Sequence, residues 1–165
     1  MSSLALIEER VMFSPDLPVE VNKLLQAAVA ASPNDQHRAE KLFLQAHALD
    51  SHCLQTYFAL YKFYFFQKRL IDAERIVIAG LEESARQGGF PSDYRRLARN
   101  PQKWDMYANE ITLFYLYTLK ALAFIKLRLG RAIDAQLVLS HLQLLDPKDL
   151  SGASVIMDLA AGATE

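Results

Sequence analysis

Three alanines set a spacing that strongly restricts how this chain can fold. Ala39 and Ala73 lie 34 residues apart, and Ala135 follows after the same 34 residues plus 28 more. Around each alanine, a large apolar residue stands four positions later, a small or apolar residue seven positions later, and a turn residue five positions earlier. In that order, these residues are Phe43, Val77 and Leu139; Ala46, Gly80 and Leu142; and Asn34, Lys68 and Gly130. Recurrence at this period predicts stacked copies of one supersecondary unit.

The unit is predicted to be a pair of helices. Glycine and proline occur only six times each and cluster at breaks such as Pro33, Gly88 and Pro147. Between the breaks, apolar residues recur at steps of three and four, and no stretch alternates apolar and polar residues. The sequence therefore predicts an all-α fold. A small residue early in the second helix lets the first helix approach closely, and the large residue one turn later fills the adjacent space.

The pattern resembles the tetratricopeptide repeat (TPR), whose second helix begins with alanine and closes near proline. The best matches are 54–85 and 116–147, and the segments LGRAIDA and LLDP are close to the turn and the ending of the family. Lys126 departs from the pattern, because the family usually has an aromatic residue there. Lys23 and Gln26 depart from it in the first repeat, where large apolar residues are expected.

The resemblance implies one domain with the fold of a TPR-like helical-hairpin solenoid, a right-handed superhelix of about three repeats. The repeats are expected at about 20–53, 54–85 and 116–147, with an insertion at 86–115 and a C-terminal capping helix at 151–161. Residues 3–13 suit a short helix that caps the first repeat. Within the insertion, Asn100 and Pro101 are expected to open a long helix that continues to Leu129 and displays an aromatic extension.

TPR arrays usually bind peptides along the groove formed by the first helices of successive repeats. Carried over to this chain, the groove residues are Gln55, Phe58, Lys62 and Phe65 in the middle repeat, and Tyr117, Lys120, Phe124 and Leu127 in the last. Each set has helical spacing and so lies on one side of its helix. Rings beside lysines suit an apolar peptide with acidic residues or a terminal carboxylate. The alternative is that these rings are core, covered by the first or the C-terminal helix.

The preferred function is therefore a protein-binding adaptor or chaperone-like module. The size and repeat number also resemble the small three-repeat chaperones of bacterial secretion systems, although the insertion departs from them. A second alternative is a self-associating structural protein that forms a homodimer through the aromatic extension. That surface consists of Trp104, Tyr107, Ile111 and Phe114.

Other classes of function find little support in the residues. A formal net charge of -1 does not favour nucleic-acid binding, and Arg95, Arg96 and Arg99 are expected to be solvated surface. His47 and His52 are five residues apart, which is the wrong spacing for two metal ligands on one helical face. Cys53 follows His52 but is expected to be a packed small residue. We therefore expect no enzyme, no metal and no cofactor.

The sequence also predicts a cytoplasmic location without a membrane span. The most apolar stretch, 111–129, is interrupted by Lys120, Lys126 and Arg128. A charge near the centre of a spanning helix costs about 2.5–3.5 kcal/mol on insertion scales. The opening residues lack the basic start and the long apolar core of a signal peptide. A single cysteine is consistent with a reducing compartment.

Overall fold

The computed structural model describes residues 17–164, with side chains described to residue 162. Residues 3–13, expected to cap the first repeat, lie outside this range. The described chain is entirely helical apart from its turns and loops, which confirms the all-α prediction. Its helices are α1 (Val19–Ala31), α2 (Gln36–Leu49), α3 (Leu54–Phe66), α4 (Leu70–Gly88), α5 (Tyr94–Arg99), α6 (Glu110–Arg128), α7 (Ala132–Leu145) and α8 (Ala153–Thr164).

Six of these helices form three hairpins, α1–α2, α3–α4 and α6–α7, each closed by a turn of three or four residues. The partners of each hairpin pack on one another, and consecutive hairpins meet through α2 with α3 and through α4 with α6. Helix α8 packs on α7 and α6. The hairpins therefore follow one another in space in the order of the sequence.

The three reference alanines lie where hairpin packing needs the smallest side chains. Ala39, Ala73 and Ala135 have no exposed surface. Gly80, seven residues after Ala73, is approached so closely that a Cβ atom there would lie 3.2 Å from the Cζ atom of Phe114. The 34-residue period thus corresponds to a repeated site of close helix contact.

Two of the hairpin turns have the same backbone conformation. Lys68 and Gly130 both adopt left-handed φ values, of 60° and 79°. In each turn the next residue donates its backbone N–H to a carbonyl five residues earlier, Arg69 to Tyr64 and Arg131 to Lys126, both at 2.9 Å. This is the pattern of a Schellman-type helix ending, which glycine adopts without a steric cost and lysine does not.

The first hairpin differs in register from the other two. Its core positions Val21, Leu24, Leu25 and Ala28 have the spacing of Tyr57, Leu60, Tyr61 and Tyr64, but they lie 36 residues earlier instead of 34. Lys23 and Gln26 are consequently exposed. The helix packs as an ordinary amphipathic helix, and the two-residue difference is absorbed before Ala39.

A hydrogen-bonded group of three side chains, Glu40, Tyr64 and Arg69, joins the first two hairpins, and we call this arrangement a clasp. The Glu40 carboxylate on α2 accepts hydrogen bonds from the Tyr64 hydroxyl (2.8 Å) on α3 and from Arg69 Nη1 (2.9 Å) in the following turn. The Arg69 guanidinium, and secondarily the Tyr64 hydroxyl, hold the pKa of the Glu40 carboxyl below its usual value. The acid follows a reference alanine, and both donors belong to the next hairpin.

The same clasp recurs at the next junction with one change of residue. Glu74 follows the second alanine, and it pairs with Lys126 Nζ and Arg131 Nη1, both at 3.2 Å. Lys126 and Arg131 occupy the repeat positions of Tyr64 and Arg69. The residue that departs from the family pattern therefore keeps the function of the tyrosine, since it supplies a donor to the acid of the preceding hairpin.

The insertion does not form the long helix that we expected from Asn100 to Leu129. Helix α4 runs on to Gly88 and α6 begins at Glu110, so the chain outside the hairpins is 89–109 instead of 86–115. The helix begins late because Asn109 caps it. The Asn109 side chain accepts from the backbone N–H groups of Ile111 and Thr112, and Thr112 Oγ1 accepts from the Asn109 N–H.

The insertion packs against the hairpins. Phe90 is buried edge-to-face on Tyr115, with ring centroids 5.1 Å apart, and the Tyr115 hydroxyl donates to the Ser92 carbonyl at 2.6 Å. Helix α5 packs on α7. The Tyr107 hydroxyl donates to Asp146 Oδ1 at 2.5 Å. The 28 additional residues thus lengthen α4 and α6 and cover the longer helices that result.

Asp146 anchors the turn between α7 and α8. Its carboxylate is 4% exposed and accepts from Tyr107, from the backbone N–H groups of Leu150 and Ser151, and from the Ser151 hydroxyl. Burial, together with the hydrogen bond to Asp146, raises the pKa of Tyr107 to about 12. The C-terminal helix then begins at Ala153, two residues later than expected, and continues to Thr164.

None of the helices in the described range is both long enough and apolar enough to cross a membrane.

Candidate peptide-binding cleft

A cleft of about 380 Å³ lies between the end of α1 and one face of α3. It exists because α1 and α3 both pack on α2 while their own facing surfaces stay apart. Its lining is formed by Val29, Ser32, Pro33, Phe43, Gln55, Phe58, Ala59, Lys62, Phe63 and Phe66. Three of the predicted groove residues, Gln55, Phe58 and Lys62, are therefore brought together in one concave surface.

The cleft has aromatic walls and apolar rims. Phe43 and Phe63 contact each other with ring centroids 5.1 Å apart, which fixes the inner wall. The rims are Val29 on α1, 58% exposed, and Phe66 on α3, 42% exposed. Exposed apolar side chains on both sides of an apolar depression form a surface that gains free energy when another apolar group covers it.

Lys62 supplies a charge at this surface. Its Nζ atom lies 5.0 Å from the centre of the Phe58 ring, within the range of a cation–π contact. Gln55 lies two helical turns before it on the same face and adds an amide. The cleft therefore offers a wide apolar contact, one cation, the Gln55 amide and the Ser32 hydroxyl.

The second set of predicted groove residues lies under a cover. The Phe124 ring packs edge-to-face on Phe65, with centroids 5.4 Å apart, and both are buried. Lys120 is only 3% exposed, and its Nζ lies 5.3 Å from the centre of the Tyr117 ring. The Tyr117 hydroxyl donates to the Leu150 carbonyl at 2.8 Å. The turn held by Asp146 therefore closes the groove face at the last hairpin.

Both sequence interpretations of the groove consequently describe part of the molecule. The middle set opens into a cleft at Gln55, Phe58 and Lys62. In the last set, Lys120 and Phe124 are buried together with Phe65, and Tyr117 is half-buried. Leu127 is half-buried against that core. The structure does not join the two sets into one continuous open groove.

The predicted self-association residues are largely covered by the chain itself. Phe114 has no exposed surface, and Ile111 is half-buried beside Gly88. Trp104 and Tyr107 are half-buried and line a second cleft of about 440 Å³ between the insertion and the end of α7. Lys103 and Lys148 each lie over one of these two rings. Trp104, Tyr107 and Ile111 therefore keep part of their surface exposed, whereas Phe114 does not.

The histidine and cysteine side chains serve packing and local electrostatics. His52 Nδ1 lies 3.1 Å from Arg86 Nη2 and 3.4 Å from Glu83 Oε2. The hydrogen bond from Arg86 holds the pKa of Glu83 below its usual value. Cys53 is buried immediately before α3. In the part of the chain that the structure describes, no three His, Cys, Asp or Glu side chains converge as metal ligands would.

The cleft contains residues that the sequence interpretation missed. Val29, Ala59 and Phe66 line it, yet none was assigned to the groove. Val29 was missed because the two-residue displacement of α1 changes which of its faces points towards α3. The sequence did contain a signal for the correct face of α1. The apolar residues Val21, Leu25 and Ala28 have helical spacing and mark the buried face, and Val29 lies next to that face.

No known family model matches this chain, and no curated protein or solved structure is significantly similar to it.

Proposed function

We propose that the protein is a TPR-like binding module, a right-handed solenoid of three hairpins that holds a segment of a partner protein in the cleft between α1 and α3. The observation that carries this proposal is the open, ring-lined cleft with Lys62 on its wall. It lies on the helix face where the resemblance places a peptide groove. The proposed role is adaptor or chaperone-like, without catalysis, in the cytoplasm.

The repeat chemistry supports the solenoid part of the proposal. The buried alanines, the two matching left-handed turns and the two acid clasps recur at equivalent positions. Gln136, which follows the third alanine, donates from its side chain to the Ala160 carbonyl at 3.3 Å. Each hairpin thus uses the same position to hold the unit that follows it, as quasi-one-dimensional arrays require.

The lining of the cleft supports a peptide over a small metabolite. The surface is mostly apolar, and it is open along one side. A segment with two or three apolar side chains fits the rings, and a carboxylate on that segment pairs with Lys62. The expected partner sequence is therefore apolar and acidic. This chemistry suits an adaptor and a secretion-type client chaperone equally.

Filling the cleft tests the proposal. Peptides selected from a displayed library on the wild-type protein are measured for affinity against Ala59→Trp, which places an indole in the cleft, and against Lys62→Glu. We expect Ala59→Trp to weaken binding at least tenfold, and Lys62→Glu to weaken acidic peptides most. The matched control is Leu137→Trp, a partly exposed position on α7. Equal affinity for wild type and Ala59→Trp contradicts the proposed site.

A further inference from the structure

Lys62 is the one charged side chain among the described residues that line the cleft, and the neighbouring helix α6 is also rich in cations. Helix α3 contains Lys62 and no acidic residue, and α6 contains Lys120, Lys126 and Arg128, with Glu110 at its first position as its one acid. Lys126 is engaged by Glu74. Arg128 is exposed, and its Cζ lies 5.9 Å from the centre of the Phe65 ring. The apolar lining and Lys62 together therefore favour an occupant of the cleft that is both apolar and acidic.

The chain itself contains a segment of this chemistry just before the described range. Residues 4–13 read LALIEERVMF, with seven apolar residues, two adjacent acids, Glu8 and Glu9, and the single cation Arg10. The apolar residues match the rings and rims of the cleft. The acids match Lys62. The apolar and acidic character that we expect of a partner segment is therefore also present in residues 4–13 of the same chain.

Connectivity brings this segment within reach of the cleft. Residues 14–16 read Ser-Pro-Asp, a composition typical of a turn, and they lead into Leu17, two residues before α1. Helix α1 is roughly 20 Å long, and Val29 near its end lines the cleft. Ten residues span about 15 Å as a helix and about 33 Å when extended. A chain of this length that turned back along α1 would be long enough to follow the helix to Val29 at the cleft.

We propose that residues 4–13 bind in the cleft of their own chain, with Glu8 and Glu9 near Lys62, and that a partner segment binds by displacing them. This inference rests on the cleft of the proposed function. It makes the segment an internal competitor, so the affinity for a partner is reduced by the fraction of molecules in which the cleft is already occupied.

Proteolysis of the full chain tests the inference. An arginine-specific protease cleaves first after Arg10, and the next arginine is Arg38. The protection factor is the cleavage rate of a free peptide with the sequence of residues 1–16, divided by the cleavage rate at Arg10 in the full chain. We expect strong protection in the wild type. A decrease of at least tenfold is expected in Lys62→Glu and in Ala59→Trp, with each fold checked by circular dichroism.

Two further variants separate charge pairing from a general loss of structure. Glu8→Lys combined with Glu9→Lys lowers the protection of the wild type and restores it in Lys62→Glu. Lys41→Glu, the same charge change on the exposed side of α2, leaves protection unchanged. A wild-type protection factor near one, or one that is insensitive to both cleft variants, overturns the inference.

The outcome is distinguishable from that of the proposed function. Protection at Arg10 together with no selected peptide binding in trans supports the internal segment and contradicts partner binding. Selected peptides that bind the cleft of an unprotected chain support partner binding and overturn the internal segment.

Discussion

The two junctions between hairpins share one clasp but differ in what they leave open. Between the first and second hairpins, Glu40 holds Arg69 on one side while a cleft of about 380 Å³ opens on the other. Between the second and third, Glu74 holds Arg131, and the groove side is filled by Phe65, Phe124 and the turn after α7. The clasp therefore joins consecutive hairpins, but it does not determine whether a cleft stays open on the opposite side of the junction.

Helix length and added chain account for this difference. Helices α4 and α6 each have 19 residues, against 14 in α2 and 13 in α3. The longer pair meets along a longer surface, and the insertion and the Asp146 turn cover it. The first junction has no such cover within the described range. Similar hairpins can thus form one junction that is closed by added chain and one junction that leaves a cleft open.

The largest expected effect is the loss of stability when a buried ring is removed from the closed junction, compared with the removal of a ring from the rim of the open junction. Phe114→Ala removes a fully buried ring that packs on Gly80, and we expect it to lower the free energy of unfolding by about 3–5 kcal/mol. Phe66→Ala at the exposed rim should cost below about 1 kcal/mol. Urea denaturation measures both. Similar losses for the two variants contradict the assignment of core to one junction and surface to the other.

The cover over the closed junction depends on a hydrogen bond from the insertion. Tyr107→Phe removes the hydroxyl that donates to the buried Asp146 carboxylate and accepts from the Lys148 N–H. We expect a loss of about 1–2 kcal/mol in the free energy of unfolding. Hydrogen exchange should accelerate in residues 146–152 and leave α1 unchanged. Tyr94→Phe, a tyrosine on α5 beside His141, is the matched control.

The clasp at the open junction has a defined pH dependence. The folded-state pKa of Glu40 lies below its unfolded value, so its contribution is present above the unfolded pKa of about 4.5 and is lost as the pH falls through the lower folded value. We expect Glu40→Gln to cost about 1 kcal/mol at pH 7. Below the folded pKa the difference from wild type should shrink. Urea titrations at several pH values test this, and a pH-independent difference contradicts the paired carboxylate.

The smallest effects are expected at the two matching turns. Lys68→Gly relieves a left-handed lysine and should stabilise the protein by about 0.5–1 kcal/mol. Gly130→Ala creates the same strain at the equivalent position and should destabilise it by about 1 kcal/mol. Thermal unfolding with opposite shifts in Tm confirms that the turns are equivalent. Shifts of the same sign contradict it.

The sequence predicted the hairpins well because close helix contact requires a small residue. Ala39, Ala73 and Ala135 are fixed by that requirement, so their spacing could be recognised without coordinates. The register of α1 could not be recognised in the same way. The 34-residue period assigns Lys23 and Gln26 to the core of α1. The helix's own apolar spacing, Val21, Leu25 and Ala28, was the local signal that disagreed with this assignment.

The candidate site could be predicted from the sequence only where the spacing of residues within one helix determines which of them are exposed. The spacing of Gln55, Phe58 and Lys62 placed them on one helix face, and the three residues line the same cleft. The burial of Lys120 depends instead on the turn at Asp146, which is held by Tyr107 from 39 residues earlier in the chain. Contacts across such separations leave no periodic signal. The capping box at Asn109 was a local signal that could have stopped the long helix in the insertion.

The exchange of Tyr64 for Lys126 at equivalent clasp positions has a consequence for modularity. An acid after the alanine accepts a hydrogen bond from a hydroxyl or an ammonium group, so neighbouring hairpins need not match in sequence to join. An extra copy of the hairpin 54–85, spliced after itself, would present Tyr64 and Arg69 to the Glu74 that precedes it. The hairpin thus carries both the acid and the donors that are needed to join it to a copy of itself.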